Sequence, residues 1–183
     1  IEKLSPLPVS LQAINTGPQP LNRKGDVMRL KRGPARPKKV AHGVMATPKF
    51  DETVKWFRET LGFICSDDLY AGDKNNIIGS FNRCDCGDEY VDHHTMFAVH
   101  NERAGMNHMS FEVPDVDAVF KDHEYLAKLG KYEHMWGVGR HLLGSQVYDY
   151  WADPWGRVQG RGAAPARGTA GRRGTGCAGL AGG

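Results

Sequence analysis

The chain has 183 residues and a formal charge of +3, with 40% hydrophobic and 25% charged residues, which suits one domain of moderate size with extensions. The charge is uneven: residues 1–40 carry nine Lys/Arg against Glu2 and Asp26 (+7), residues 159–183 carry four Arg and no acid (+4), and residues 41–158 are left at −8, so a basic nucleic-acid-binding face is not expected. No apolar run reaches membrane-spanning length, the start lacks a signal-peptide segment, and Cys65, Cys84, Cys86 and Cys177 are too irregular for a disulfide framework; a soluble, cytoplasmic protein with reduced thiols and no membrane partner is expected.

Residues 1–39 read as a basic, Pro-rich linker or the remnant of a preceding domain, with only residues 27–30 resembling a strand. Ile at position 1 suggests the later part of something longer. Residues 40–46 alternate as a strand that sends His42 and Val44 to one side. A helix then starts at Thr47-Pro48 or Asp51, places Val54, Phe57 and Leu61 on one face, and stops at Gly62. Strands follow at 63–65, 76–81 and 95–99. The order then repeats: a strand at 109–113, a helix at 117–129 with Phe120, Tyr125 and Leu129 inward and Gly130 as its stop, and strands at 132–136, 146–151 and around 156–158.

The repeat is visible residue by residue. His42 and His108 are each followed six residues on by proline (Pro48, Pro114), nine on by aspartate (Asp51, Asp117) and twelve on by an apolar residue (Val54, Phe120). Such spacing implies two copies of one unit. The expected fold is α+β, with paired βαβββ modules (about 40–105 and 106–158) forming a curved mixed sheet around a cavity for a metal. Either histidine alone reads most simply as an ordinary strand residue. Their coincidence in the repeat favours neutral imidazole ligands to a shared first-row metal.

Further motifs make the pattern specific: His93-His94-Thr95, Asn107-His108-Met109-Ser110-Phe111, and Gly139-Arg140-His141 followed by Tyr150-Trp151-Ala152-Asp153-Pro154-Trp155-Gly156. Over about residues 40–158 the chain resembles the vicinal oxygen chelate superfamily, and within it the type I extradiol ring-cleavage dioxygenases. The resemblance implies Fe(II), or less often Mn(II), held by His42 and His108 with one carboxylate, acting on a catechol-type substrate and O2. It makes His94 the acid/base, and His141 and Tyr150 the donors to substrate and oxygen. It also implies a homo-oligomer with no nucleic-acid partner. Trp136, Trp151 and Trp155 read as core or pocket wall.

Two departures stand out. Asp149 occupies a place where the family pattern has an apolar residue, and the glutamate expected at 159 or 160 is replaced by Gln159 and Gly160. Loss of that carboxylate should weaken metal binding. Glu112, on the same strand face as His108, reads as support for the ligands. The Gly/Ala/Arg tail at 159–183 reads as disordered, or as GC-rich DNA translated out of frame. Two other functions fit the same fold: non-catalytic binding of a small molecule, favoured by the missing glutamate, and a glyoxalase-like metal-dependent lyase or isomerase.

Overall fold

Alternation through KVAHGVMAT, with His42, Val44 and Ala46 buried, forms strand β1 (Lys39–Thr47) in a computed structural model that describes residues 31–163 and 167–168. The first module continues with α1 (Phe50–Leu61), β2 (Ile64–Tyr70), β3 (Ile77–Arg83), the short β4 (Val91–Asp92) and β5 (Met96–His100). The second comprises β6 (Gly105–Glu112), α2 (Val116–Leu129), β7 (His134–Arg140), β8 (Val147–Ala152) and β9 (Val158–Ala163); a two-residue strand, β10 (Arg167–Gly168), pairs with β4. Eight strands form one mixed sheet in the order β2-β3-β5-β1-β6-β9-β8-β7. The fold is the expected α+β arrangement of paired βαβββ units.

The order is a palindrome of modules about the β1–β6 seam. β1 runs parallel to β5 and β6 parallel to β9, while β1 and β6 pair antiparallel with Gly43 opposite Met109, His42 opposite Ser110 and Val44 opposite His108. Since 42, 43 and 44 correspond to 108, 109 and 110 in the repeat, the pseudo-twofold axis passes through the Gly43–Met109 pair. The two histidines therefore stand on one sheet face as diagonal neighbours, within reach for ring side chains.

Each helix covers the other face of its own half-sheet. Phe50, Val54 and Phe57 of α1 pack with Ala98, whereas Leu61 is half exposed. In α1 Asp51 and Glu52 complement the positive end of the helix, and Gly62, at φ 69°, ends it. In α2 the cap is Asp115, whose carboxylate accepts from the Ala118 N–H at 2.7 Å, so the helix begins earlier than the expected Asp117. The expected inward face is corrected as well. Phe120, Tyr125 and Leu129 are substantially exposed, and Ala118, Val119 and Asp122 are buried. Asp122 tolerates burial because it accepts from the Ala35 N–H and from Arg161 Nε, both at 3.0 Å.

These bonds revise the outer boundaries read from sequence. Ala35 joins the core with Val113, Val119, Val147 and Ala163, and the Lys38 N–H donates to the Glu112 carbonyl at 2.7 Å, so residues 35–38 belong to the folded unit. At the other end, residues 159–163 lie in β9, inside the stretch read as a tail, because they complete the ladders of both β6 and β8. The expected strand at 27–30 and the tail beyond 168 lie outside the described residues. No helix among the described residues is long and apolar enough to cross a membrane.

Candidate metal and substrate site

The sheet face away from the helices lines a cavity of about 870 Å³. His42, His94, His108, His141 and Tyr150 all border it. Every site residue expected from the sequence is thus brought to one place. The His42 and His108 ring centroids are 5.7 Å apart, and those of His42 and His94 4.2 Å. His108 lies edge-on to Tyr150 at 5.0 Å.

Burial sets the protonation of this cluster. Loss of solvent, reinforced by the neighbouring imidazoles, lowers the His42 pKa to about 3 and that of His94 to about 2; burial and His141 bring His108 to about 4. Burial also lowers His141, and burial with Tyr148 raises Tyr150 well above the usual phenol range. At neutral pH the cavity holds uncharged imidazoles and a protonated phenol.

Hydrogen bonds assign the tautomers. His108 Nδ1 lies 2.9 Å from the Asn107 side-chain oxygen, an acceptor, so the imidazole donates from Nδ1. Its Nε2 then keeps a lone pair, and that atom is buried without a hydrogen-bond partner among the described residues. An orphaned, unprotonated imidazole nitrogen beside a second neutral imidazole is suited to a divalent metal, and Asn107 is the type of outer partner that orients such a ligand. His94 is fixed by a longer chain. The Asp67 carboxylate accepts from His93 Nε2 at 2.6 Å, which leaves His93 Nδ1 to accept from His94 Nδ1 at 3.0 Å. His94 Nε2 is then the basic nitrogen of that ring. His141 Nε2 and the Tyr150 hydroxyl are hydrogen-bonded at 3.0 Å.

The two positions at which a glutamate was expected, 159 and 160, differ in where they point. Gly160 lies opposite Ser110 on β6 and opposite Tyr150 on β8, and a Cβ there would meet the Tyr150 ring and the Ser110 hydroxyl. Position 160 therefore faces the histidines, and Gln159 does not: its amide is 3.4 Å from the Asp153 carboxylate. Glu112 is buried against Lys38 and Lys39, at 3.4 and 3.3 Å. Of the tryptophans, Trp136 borders the cavity, Trp151 packs on the helix side against His123 and His134, and Trp155 is largely exposed under Arg157.

Asp67 and the linking role of His93 were missed in the sequence, since Asp67 lies on another strand 26 residues from His93. Asn107 was noted only as part of a motif. Its position just before His108 was the available signal.

Residues 39–157 match the family model of the Glyoxalase/Bleomycin resistance protein/Dioxygenase superfamily, and the chain belongs to that superfamily. Over 137 residues it is 31% identical to Metapyrocatechase 2 of Cupriavidus necator, covering 75% of this chain and 40% of that protein. Among solved structures, the 2,3-dioxygenase LapB from Pseudomonas sp. KL28 aligns with a TM-score of 0.67 at 20% identity, over 75% of this chain and 46% of that one. The Mn(II)-bound glyoxalase from Novosphingobium aromaticivorans aligns with a TM-score of 0.61 at 26% identity, over 76% and 43%. The chain thus spans less than half the length of these relatives. The similarity to a metapyrocatechase agrees with the extradiol group to which the motifs point.

Proposed function

We propose that this domain belongs to an Fe(II)- and O2-dependent extradiol dioxygenase acting on a catechol-type aromatic, and that this chain holds its metal weakly. The observation that carries the proposal is the unpartnered His108 Nε2, diagonal to His42 in a cavity that also holds His94, His141 and Tyr150. Two of three protein ligands are in the right form. Fe(II), with Mn(II) as the alternative, would be held by His42 and His108 and would supply chelation of both catechol oxygens and electron transfer from the ring to O2.

The chain's own residues do the rest. Leu69, Phe81, Phe97, Met135 and Trp136 give a planar aromatic an apolar enclosure and displace water from it. His94, with its Nδ1–H committed to His93, accepts a proton at Nε2 from the bound diol and later returns it. The His141–Tyr150 pair supplies a hydroxyl proton that stays in place at neutral pH and can hydrogen-bond a substrate oxygen.

Gly160 favours a second reading, in which the cavity binds an aromatic without transforming it. One experiment separates the two: anaerobic loading with Fe(II), addition of catechol, then admission of air. Oxygen uptake with a coloured ring-fission product supports the dioxygenase. Catechol binding without oxygen consumption, even in a Gly160→Glu variant that retains iron, supports the binder.

A further inference from the structure

On the helix side of the second module, behind the cavity wall, stands another cluster. His123 of α2, His134 of β7 and Asp149 of β8 bring one donor atom each to within 4.8 Å of one another. His123 Nδ1 lies 3.2 and 3.3 Å from the two Asp149 oxygens, and His134 Nε2 is 2.8 Å from Oδ1. Ligands about 2.0–2.1 Å from a tetrahedral ion stand roughly 3.3 Å apart, so the His123–Asp149 separation already suits a shared ion, the His134–Asp149 separation needs to open by about half an ångström, and the two imidazole nitrogens stand within 4.8 Å of each other.

Three observations mark the cluster as built. Asp149 is fully buried in a strand whose six residues are all buried, and a carboxylate at such a place is tolerated only when paired or coordinating a metal. Its Oδ2 is held from behind by the Trp151 indole N–H at 2.5 Å, an outer contact that fixes the carboxylate's direction. Opposite it lies Gly137, at φ 122°, where a Cβ would come within 3.0 Å of Asp149 Oδ1; the glycine leaves that oxygen room. The two imidazoles, by contrast, are each about one-third exposed, 32% by side chain, so an ion could enter from solvent and keep water in its remaining position.

We propose that His123, His134 and Asp149 form a second metal site, separate from the cavity, that takes a first-row divalent cation of borderline softness, with Zn(II) as the reference ion. Two imidazoles and one carboxylate are donors that suit such an ion, and the dication offsets the charge of a fully buried carboxylate. The ion ties α2 to the β7–β8 hairpin. Because Asp149 sits between Tyr148 and Tyr150, the tie stiffens the strand that carries the cavity's phenols.

The test is Zn(II) stoichiometry in the full chain carrying His42→Ala and His108→Ala, which removes the cavity's imidazole ligands. One tightly held equivalent is expected, lost on adding His134→Gln or His123→Gln, with a Zn(II)-dependent rise in Tm that disappears in parallel. Should the double variant not fold, the same comparison in the otherwise unchanged chain reads the loss of one equivalent on His134→Gln alone, and Co(II) should give a tetrahedral d–d spectrum that this substitution removes. Folded His123 and His134 variants that hold as much Zn(II) as their parents, or a parent that holds none, would show a hydrogen-bonded His–Asp–His cluster only and overturn the proposal.

Discussion

Gly160 on β9 and Tyr150 on β8 face each other so closely that a Cβ on the glycine would lie 2.9 Å from Tyr150 Cε1 and 3.1 Å from the Ser110 hydroxyl. A side chain is thereby aimed at the imidazole cluster but must displace the phenol slightly. Gly160→Glu should raise Fe(II) affinity by more than the ~10–100-fold that outer-shell changes produce, while lowering Tm through the displaced ring. Iron analysis after dialysis and a melting curve read the two effects separately; unchanged iron retention would place the third ligand elsewhere.

His94 should behave differently from the two ligand candidates. In a background that turns over catechols, His94→Ala is expected to lower kcat by about 10²–10⁴-fold with iron content unchanged, whereas His42→Ala or His108→Ala should remove the iron. Asp67→Asn, which acts on His94 only through His93, should shift the pH profile of kcat and leave KM nearly unaltered.

The buried imidazoles make the metal-free protein sensitive to acid. In the unfolded chain His42 and His108 take up protons from about pH 6.5, but in the folded state only near 3 and 4. The unfolded state therefore binds more protons between these values, and stability falls as pH drops from about 6.5 towards 4, with no contribution from these groups above 6.5. Thermal melts from pH 8 to 4 should show this slope, and a His42→Gln/His108→Gln variant should make it shallower, the remainder coming from His94 and His141, whose pKa values burial also lowers. A parallel slope in that variant would assign the sensitivity to other groups.

Asp122 offers a test of the revised boundaries. Asp122→Ala leaves the Ala35 N–H and the Arg161 guanidinium without their acceptor and should destabilise the fold by about 3 kcal/mol. Chemical denaturation measures it, and a loss below about 1 kcal/mol would mean that water replaces both bonds.

Much of this architecture was legible because it is periodic and repeated. The 42/108 offset, the capping glycines Gly62 and Gly130, and the motif around Tyr150 locate both modules and five residues around the cavity. What escaped depends on pairing between distant strands. Asp67 meets His93 only through the packing of β2 and β3 beside β5, and the choice between Gln159 and Gly160 needs the β6–β9 register. The helix face was misread because a charged residue, Asp122, holds the central buried position and large apolar side chains lie outside. Hydrophobic periodicity cannot reveal a core place held by a hydrogen-bonded carboxylate.

The seam between β1 and β6 carries one more consequence. Rotation about the Gly43–Met109 pair carries Gly160 onto Phe97, since Val44 is opposite Phe97 as Ser110 is opposite Gly160. One of these symmetry-related places is filled by a ring stacked on Phe81 at 4.1 Å, and the other is bare backbone beside the phenol of Tyr150. The cavity thus has a hydrocarbon wall on one flank and a hydroxyl on the other. The doubled scaffold thereby acquires a sense of left and right, and under the proposed function an unsymmetrically substituted ring would be told from its mirror placement.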